Sequence, residues 1–326
     1  MQPVDCSTPC ERGRKRMGNS LNRYGLWSVV GFLCLFWLTA CNDNSGLQPT
    51  SGGKPFEVLV IGTDTTAVNT MRNALTALTE TALPQPEPSF DVSAAYGEVD
   101  ASTQYARSIV VVTTDSTRFT QSSIRYEKNV YARPQMIIYI TTPSAEQLKT
   151  FLKGKSIATI AELLSRAETN RQISHLRTHH SMKALELAKK QFGYSIHAPE
   201  DMLSSKQGKD FLWLSNNANS GMQNICLFYS NHLDSVLKEN IKGEKDGMYM
   251  KTVQESLVRS HADGRDIIRG LWEMEGDAMG GPFVAHSWTD SITGKTMTAL
   301  AFAYAPEAKK RNKMKQLEAV LYTIKK

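Results

Sequence analysis

The pattern of apolar and polar residues differs between the first and second parts of this chain, and this difference predicts its fold. In the first part, short apolar runs rich in β-branched residues alternate with segments of helical periodicity, which is typical of α/β structure. The predicted strands are 57–61, 108–113 and 135–141, and the predicted helices are 66–82, 144–167 and 170–191. The stretch LPQPEPSF at 83–90 is interpreted as a crossover, because proline cannot continue a helix.

Strands dominate the second part of the pattern. They are predicted at 211–215, 224–229, 267–274, 282–289 and 295–304, with helices at 231–241 and 248–262 and a final helix that starts at Ala305-Pro306-Glu307. The chain is therefore expected to have an α+β (mixed α/β) fold, in which an N-terminal α/β part precedes a largely antiparallel sheet with packed helices. This domain is expected over 56–326, and a boundary near 193–207 would divide it into two lobes.

The first forty residues have a different character. Five basic side chains precede the apolar run 26–38, which at thirteen residues is shorter than the roughly 20 needed to span a bilayer as a helix. A basic segment followed by a short apolar one is typical of a secretory signal peptide, here 1–40, with either Met1 or Met17 as the start.

The signal segment ends in Leu38-Thr39-Ala40-Cys41, which resembles the lipobox of bacterial lipoproteins. The resemblance implies that the thiol of Cys41 receives diacylglycerol, with acyl chains such as palmitate, and that cleavage before Cys41 follows. The protein would then face the periplasm. By the sorting rules of such lipoproteins, Asn42 favours the outer membrane. Two or three acyl chains would hold the protein firmly on a membrane that it does not cross. The polar segment 41–55 is interpreted as a flexible tether, whereas an uncleaved helix with a buried cysteine would leave it unexplained.

Charge and cysteine content narrow the function classes. Residues 1–40 contain five basic and two acidic side chains, so their removal lowers the formal net charge from +6 to +3 and weakens any case for nucleic-acid binding. Cys226 is the one cysteine after Cys41, so the exported part can form no intrachain disulfide. Its apolar surroundings favour a buried hydrophobic residue over a nucleophile. The sequence predicts no cofactor and no metal.

The stretch LWEMEGDAMGGPFVAHSW at 271–288 has two interpretations. Glu273, Glu275 and His286 would supply two carboxylates and an imidazole if a partner strand brought them together, as a hydrolase or metal-dependent enzyme requires. Alternatively, strand alternation places the two acids on one face, and Gly280-Gly281 belongs to the turn between two strands.

Two further motifs also have two interpretations each. In HLRTHH, His175 and His179 lie one helical turn apart and could share a metal, but Leu176 stands where zinc proteases carry glutamate, which favours solvated histidines. In VIGTDTTAV, Gly62 follows a strand and precedes a helix, which allows a phosphate site or an ordinary capped βα turn.

The final helix is rich in cations. They are Lys309, Lys310, Arg311, Lys313 and Lys315. Cations near the first turn oppose the helix dipole, so they do not stabilise the helix itself. They are interpreted either as a basic patch for anionic headgroups or an acidic partner, or as a plain solvated face.

Three separated motifs together resemble one family. LPQPEPSF, LWEMEGDAMGGPFVAHS and YAPEAKKRNKMKQLEAVLYTIK are similar to domain of unknown function family 4837, which comprises lipoprotein-type proteins of Bacteroidetes-like bacteria. The resemblance covers nearly the whole mature chain. It implies a lipid anchor and assigns no catalytic residue.

The leading functional hypothesis is a non-enzymatic, lipid-anchored envelope protein that binds an anionic envelope component or a protein partner. The sequence has no Gly-x-Ser-x-Gly, no Ser-x-x-Lys and no aspartate-rich metal loop. Because catalytic triads are spatial, the alternative stays open: a hydrolase or metal-dependent enzyme that uses Glu273, Glu275 and His286.

Overall fold

Two β-sheets with covering helices make up the computed structural model, which describes residues 48–219 and 221–326. The predicted signal peptide and residues 41–47 of the predicted tether, Cys41 among them, lie outside the described residues. The compact unit runs from Pro49 to Lys326. Thr50 forms an isolated bridge with Arg133, and Gly52 forms one with Ala106, so the packed chain begins within the segment expected to be tether.

The first sheet lies in the N-terminal half. Its strands are β1 Glu57–Gly62, β4 Asp91–Tyr96, β5 Ser108–Thr114, β6 Ser123–Lys128 and β7 Met136–Thr142, and the short hairpin β2 Thr79–Glu80 with β3 Glu87–Pro88 stands apart from it. The order is β4-β1-β5-β7-β6, and all pairs are parallel except β6 with β7. The apolar side chains of β1, β5 and β7 form one core with the helices α1 Thr65–Thr76, α2 Ala145–Leu152 and α3 Lys155–Thr178.

The turn between β1 and α1 shows how local sequence fixes this half. The carboxylate of Asp64 accepts hydrogen bonds from the backbone N–H groups of Thr66 and Ala67, and so caps the helix. A Cβ at Gly62 would lie 2.3 Å from the carbonyl oxygen of Val112, so only glycine permits this close approach. VIGTDTTAV therefore forms a capped βα turn.

The second sheet is antiparallel and lies in the C-terminal half. Its strands are β8 Ser204–Gln207, β9 Phe211–Ser215, β10 Met222–Tyr229, β11 Tyr249–Ala262, β12 Arg265–Glu275, β13 Gly280–Thr289 and β14 Thr296–Tyr304. Their order is β11-β12-β13-β14-β10-β9-β8. Helices α4 Met182–Phe192 and α6 Arg311–Tyr322 pack on one face, and α5 Leu233–Asn240 packs on the other.

The predicted α+β class is confirmed, since a mixed sheet and a large antiparallel sheet are both present. The helix predicted at 248–262 is wrong, because this segment is β11 and pairs with β12 from Tyr249 to Ala262. Its buried positions alternate at 249–252, as a strand requires, and pairing with β12 overrides the helical spacing of the later residues.

Other differences concern element ends. Helix α1 ends at Thr76 rather than 82, and the region predicted as two helices contains three. The last helix begins at Arg311 rather than 305–307, where residues from the N-terminal half contact its first turn. Within the described residues, no helix is long and apolar enough to cross a membrane.

Candidate functional site

Glu273 and Glu275 lie on β12 opposite Lys251 of the edge strand β11. The ammonium nitrogen of Lys251 is 3.2 Å from Glu273 Oε1 and 2.5 Å from Glu275 Oε2. This hydrogen bonding raises the pKa of Lys251 and lowers that of Glu275. About half of each carboxylate side chain is exposed, so the group is a surface ion-pair cluster.

His286 lies elsewhere on the same sheet. It pairs with Ile267, six residues along β12 from Glu273, which corresponds to about 20 Å at the rise of a strand. The ring of His286 is fully buried against Tyr322 of α6, with ring centroids 4.8 Å apart, and its Nε2 is 3.6 Å from Glu318 Oε1. The structure therefore does not bring Glu273, Glu275 and His286 together.

Burial and neighbouring charged groups shift the pKa values of His286 and Glu318. Burial lowers the pKa of this histidine. Burial also raises the pKa of Glu318, but His286 and the charges of Arg269 and Lys315 outweigh that effect and hold the pKa below its usual range. Cys226 is likewise fully buried and its pKa is raised, as its interpretation as a hydrophobic core residue expects.

The five cations of the C-terminal segment do not form one surface. Arg311 is buried, with its Nη2 2.6 Å from Asp91 Oδ2, and Lys315 Nζ lies 3.0 Å from Glu80 Oε1. Lys309 is exposed. The ammonium group of Lys310 donates to a nearby backbone carbonyl, and Lys313 lines a cavity.

Acids of the N-terminal half compensate the cations at the start of α6. The carboxylate of Glu87 accepts hydrogen bonds from the backbone N–H groups of Lys310 and Arg311, at 2.7 and 3.2 Å. It thus caps a helix that has no capping side chain of its own. The motif LPQPEPSF therefore contacts the final helix, and the unfavourable first-turn charges are balanced by contacts between the two halves.

A cavity of about 630 Å³ lies where α3, α6 and the segment 50–55 meet. At one wall, Glu168 of α3 is 2% exposed and lies between two guanidinium groups. Arg107 Nη1 is 2.9 Å from Glu168 Oε1, while Arg171 Nη1 contacts Glu168 Oε2 and Arg171 Nη2 donates to the carbonyl oxygen of Arg107. Burial lowers the pKa of Arg171. We call this cavity the arginine pocket, defined by Arg107, Glu168, Arg171, Gln223 and Lys313.

The charge of the arginine pocket is positive. Two guanidinium groups share one carboxylate, and Lys313 adds a cation for which the described residues provide no acid within ion-pair distance. The ammonium end of Lys313 lies against Gly221, where an added Cβ would be 2.7 Å from Nζ. The remaining lining combines apolar side chains, among them Pro55, Pro134 and Leu176, with amide side chains from both halves of the chain. These are Gln172, Gln223, Asn312 and Gln316.

Several polar atoms of the pocket residues lack hydrogen bonds. Among the described residues, Arg107 Nε, Arg171 Nε, Gln172 Oε1 and Gln223 Oε1 are buried and have no partner. Unpaired buried groups of this kind are uncommon and mark a site where a further partner would be stabilising. The pocket can therefore bind an anion and offer both donors and acceptors to the rest of a ligand.

The histidine motif contributes one residue to this lining. His175 and His179 stack with ring centroids 4.3 Å apart, and His175 lines the arginine pocket. No group of three potential metal ligands occurs within residues 48–219 and 221–326. The motif thus places an imidazole at the cavity wall.

Sequence reasoning missed Arg107, Glu168 and Arg171. The predicted break between two helices fell at 167–170, beside these side chains, whereas α3 runs unbroken through it. The available signal was a Glu168–Arg171 pair at i,i+3 spacing, which is common on solvated helix faces. Its burial depends on Arg107, 61 positions away, and on the packing of α3 against α6.

Two family models match the chain in succession. Residues 51–177 match a Domain of unknown function, DUF8532, and residues 181–323 match a Domain of unknown function, DUF4837. The motif at 83–90 lies in the first match, so the DUF4837 match covers less of the chain than the sequence resemblance implied. The arginine pocket combines side chains from both matches.

Comparison with solved structures shows a distant likeness. None of the curated proteins matches the chain. A crystal structure of a protein from Bacteroides thetaiotaomicron VPI-5482 is 18% identical with a TM-score of 0.23, and the match covers 40% of this chain. The match spans 44% of that solved chain's length. The match over residues 181–323 supports the resemblance of the C-terminal half of the chain to the DUF4837 family of domains of unknown function.

Proposed function

We propose that this chain is a lipid-anchored binding protein of the cell envelope that holds an anionic ligand in the arginine pocket without transforming it. The observation that supports the proposal is the positive charge of this pocket, whose lining contains three cations, Arg107, Arg171 and Lys313, and one carboxylate, Glu168. Guanidinium and ammonium groups in partly desolvated sites bind phosphates and carboxylates well, because their charge is weakly screened.

The anchor at Cys41 would place this pocket close to a membrane surface. Seven residue steps separate Cys41 from Gln48, where the described chain begins, and seven extended residues span at most about 25 Å. Thr50 and Ser51 line the pocket just after that point. A lipid on Cys41 would therefore favour ligands found at or near an outer-membrane surface that faces the periplasm.

The anchor is tested by replacing the lipidated thiol. Cys41→Ala should release the protein from washed membranes into the soluble fraction, whereas Cys34→Ala, which removes a thiol from the signal segment, should leave it membrane-bound. Fractionation followed by immunoblotting measures both. If Cys41→Ala still fractionates with membranes and resists release, the lipoprotein proposal fails.

Anion binding is tested at Lys313, because its removal leaves no buried acid without a partner. Isothermal titration calorimetry of the full chain in detergent with inorganic phosphate should show binding that Lys313→Met weakens about tenfold, the loss of one charge-assisted hydrogen bond. Lys309→Met removes an exposed cation from the same segment and should change nothing. Absence of phosphate binding, or equal affinity in the two variants, would contradict the proposal.

The alternative of a hydrolase or metal-dependent enzyme has weaker support. Glu273 and Glu275 are engaged by Lys251, and about 20 Å of strand separates Glu273 from the position of His286. We therefore retain the binding protein as the proposed function.

A further inference from the structure

We infer that the ligand of the arginine pocket is an anionic saccharide or polyol, in which one phosphate or carboxylate is joined to several hydroxyl groups. This inference rests on the proposed function, since it concerns the same pocket and adds the chemical class of the ligand. Its basis is the set of polar side chains in the lining that would have no hydrogen-bond partner if the ligand were an anion alone.

The unused part consists of carboxamides. Four of them line the pocket, each with a carbonyl oxygen that accepts and an NH₂ group that donates, and of these the Asn312 carbonyl oxygen already accepts from Arg311 Nε. A sugar hydroxyl has the same dual character, whereas a phosphate or carboxylate oxygen only accepts. Gln172 and Gln223 each have a carbonyl oxygen without a donor. A bare anion would leave both acceptors unpaired, while hydroxyl groups would supply the missing donors once the amides rotate.

The positions of these groups separate the anion from the hydroxyls. Lys313 and Gln316 lie one turn apart on the same face of α6, and Arg171 and Gln172 are adjacent on α3. Each wall thus presents a cation with an amide beside it. A ligand with a charged group at one position and hydroxyl groups within a few ångströms would satisfy both walls.

The size of the pocket agrees with such a ligand. At about 630 Å³ it falls among cavities that enclose whole small molecules, which range over roughly 300–1,000 Å³. A phosphate ion would fill a small fraction of it, whereas a sugar phosphate would fill a larger one.

The ligand class is tested by titration calorimetry, in which three soluble probes are titrated separately into the full chain in detergent and their affinities are compared. Glucose 6-phosphate should bind at least tenfold more tightly than inorganic phosphate, and glucose alone should bind more weakly than glucose 6-phosphate. Gln172→Met or Gln223→Met, which keeps the side-chain length and removes the amide, should abolish most of this preference. Gln147→Met, on the exposed face of α2, is the matched control.

The outcomes separate this inference from the proposed function. Equal affinity for phosphate and glucose 6-phosphate would overturn the saccharide inference and leave anion binding standing, whereas no binding of either would overturn both. A preference that survives in both glutamine variants, with circular dichroism showing them folded, would also overturn the inference. Titration with phosphatidylinositol in the same micelles identifies the source: tighter binding than glucose 6-phosphate assigns a lipid headgroup, and weaker binding assigns a soluble sugar phosphate.

Discussion

Two regions of this molecule hold carboxylates against cations, and they do so in opposite surroundings. Glu273 and Glu275 lie two residues apart on a strand and pair with Lys251 at the exposed end of the second sheet. Glu168 lies 2% exposed between two arginines, one of them 61 positions away in sequence. The sequence motif identified Glu273 and Glu275, which form exposed ion pairs. Glu168, which lines the cavity, could be identified only from the folded structure.

The largest expected effect comes from removing the charge of the buried acid. Glu168→Gln leaves the guanidinium groups of Arg107 and Arg171 without their shared counter-charge, and breaking a buried ion pair in this way costs about 3–5 kcal/mol of the free energy of unfolding. Glu162→Gln on the same helix breaks an exposed pair with Arg166 and should cost about 0.3–0.5 kcal/mol. Urea unfolding at neutral pH measures both. Similar losses of unfolding free energy in the two variants would show that the buried ion pair stabilises the fold no more than the exposed one.

A second, intermediate effect concerns pH and the buried acid beside His286. The neighbouring His286, Arg269 and Lys315 overcome the effect of burial and lower the pKa of Glu318 from 4.5 to about 2. Because the pKa is lower in the folded state, the ionised form stabilises the fold at higher pH, and this contribution is lost as the pH falls from about 4.5 towards 2. Glu318→Gln should therefore lose less stability than the wild-type protein over that interval.

The measurement is the urea midpoint at several pH values between neutral and 2. Glu186→Gln, which removes an exposed acid from α4, is the control and should follow the wild-type curve. A Glu318→Gln curve parallel to the wild-type curve would mean that folding does not lower the pKa of Glu318.

The smallest effect is expected at the exposed pair. Glu275→Gln should leave the urea midpoint within error of the wild-type value, because water already solvates both partners and Lys251 keeps Glu273 as a counter-ion. Added salt should reduce any residual difference further. A loss comparable with that of Glu168→Gln would show that the strand end is as important to the fold as the buried pair.

Strand pattern was the most informative part of the sequence. The predicted strands 267–274, 282–289 and 295–304 agree with β12, β13 and β14 to within two residues at each end. Alternation and β-branched runs report directly which face of a strand is buried, so local sequence is enough. The prediction for 249–262 was wrong because this segment is an edge strand that is largely exposed beyond residue 254. Its apolar and polar residues therefore do not alternate clearly between a buried and an exposed face.

The candidate site was much less predictable. The sequence predicts a basic patch of five cations near α6, but acids contact three of these residues, Lys310, Arg311 and Lys315. These acids lie on β2, β3 and β4, more than two hundred positions earlier. Of the five, Lys313 lines the arginine pocket. Local periodicity cannot show which member of a charged run faces a cavity, because that depends on which acids the rest of the chain brings to the others.

The cap that Glu87 provides for α6 bears on how this protein can be dissected. A fragment that begins at Ser181 would retain α6 but lose the carboxylate on the backbone N–H groups of Lys310 and Arg311, and would leave the buried Arg311 side chain without Asp91. The boundary between the two family matches, before Ser181, is therefore a poor site for truncation. The last helix is completed by residues from the opposite half, and any truncation meant to isolate one half must carry the hairpin 79–88 and Asp91 with it.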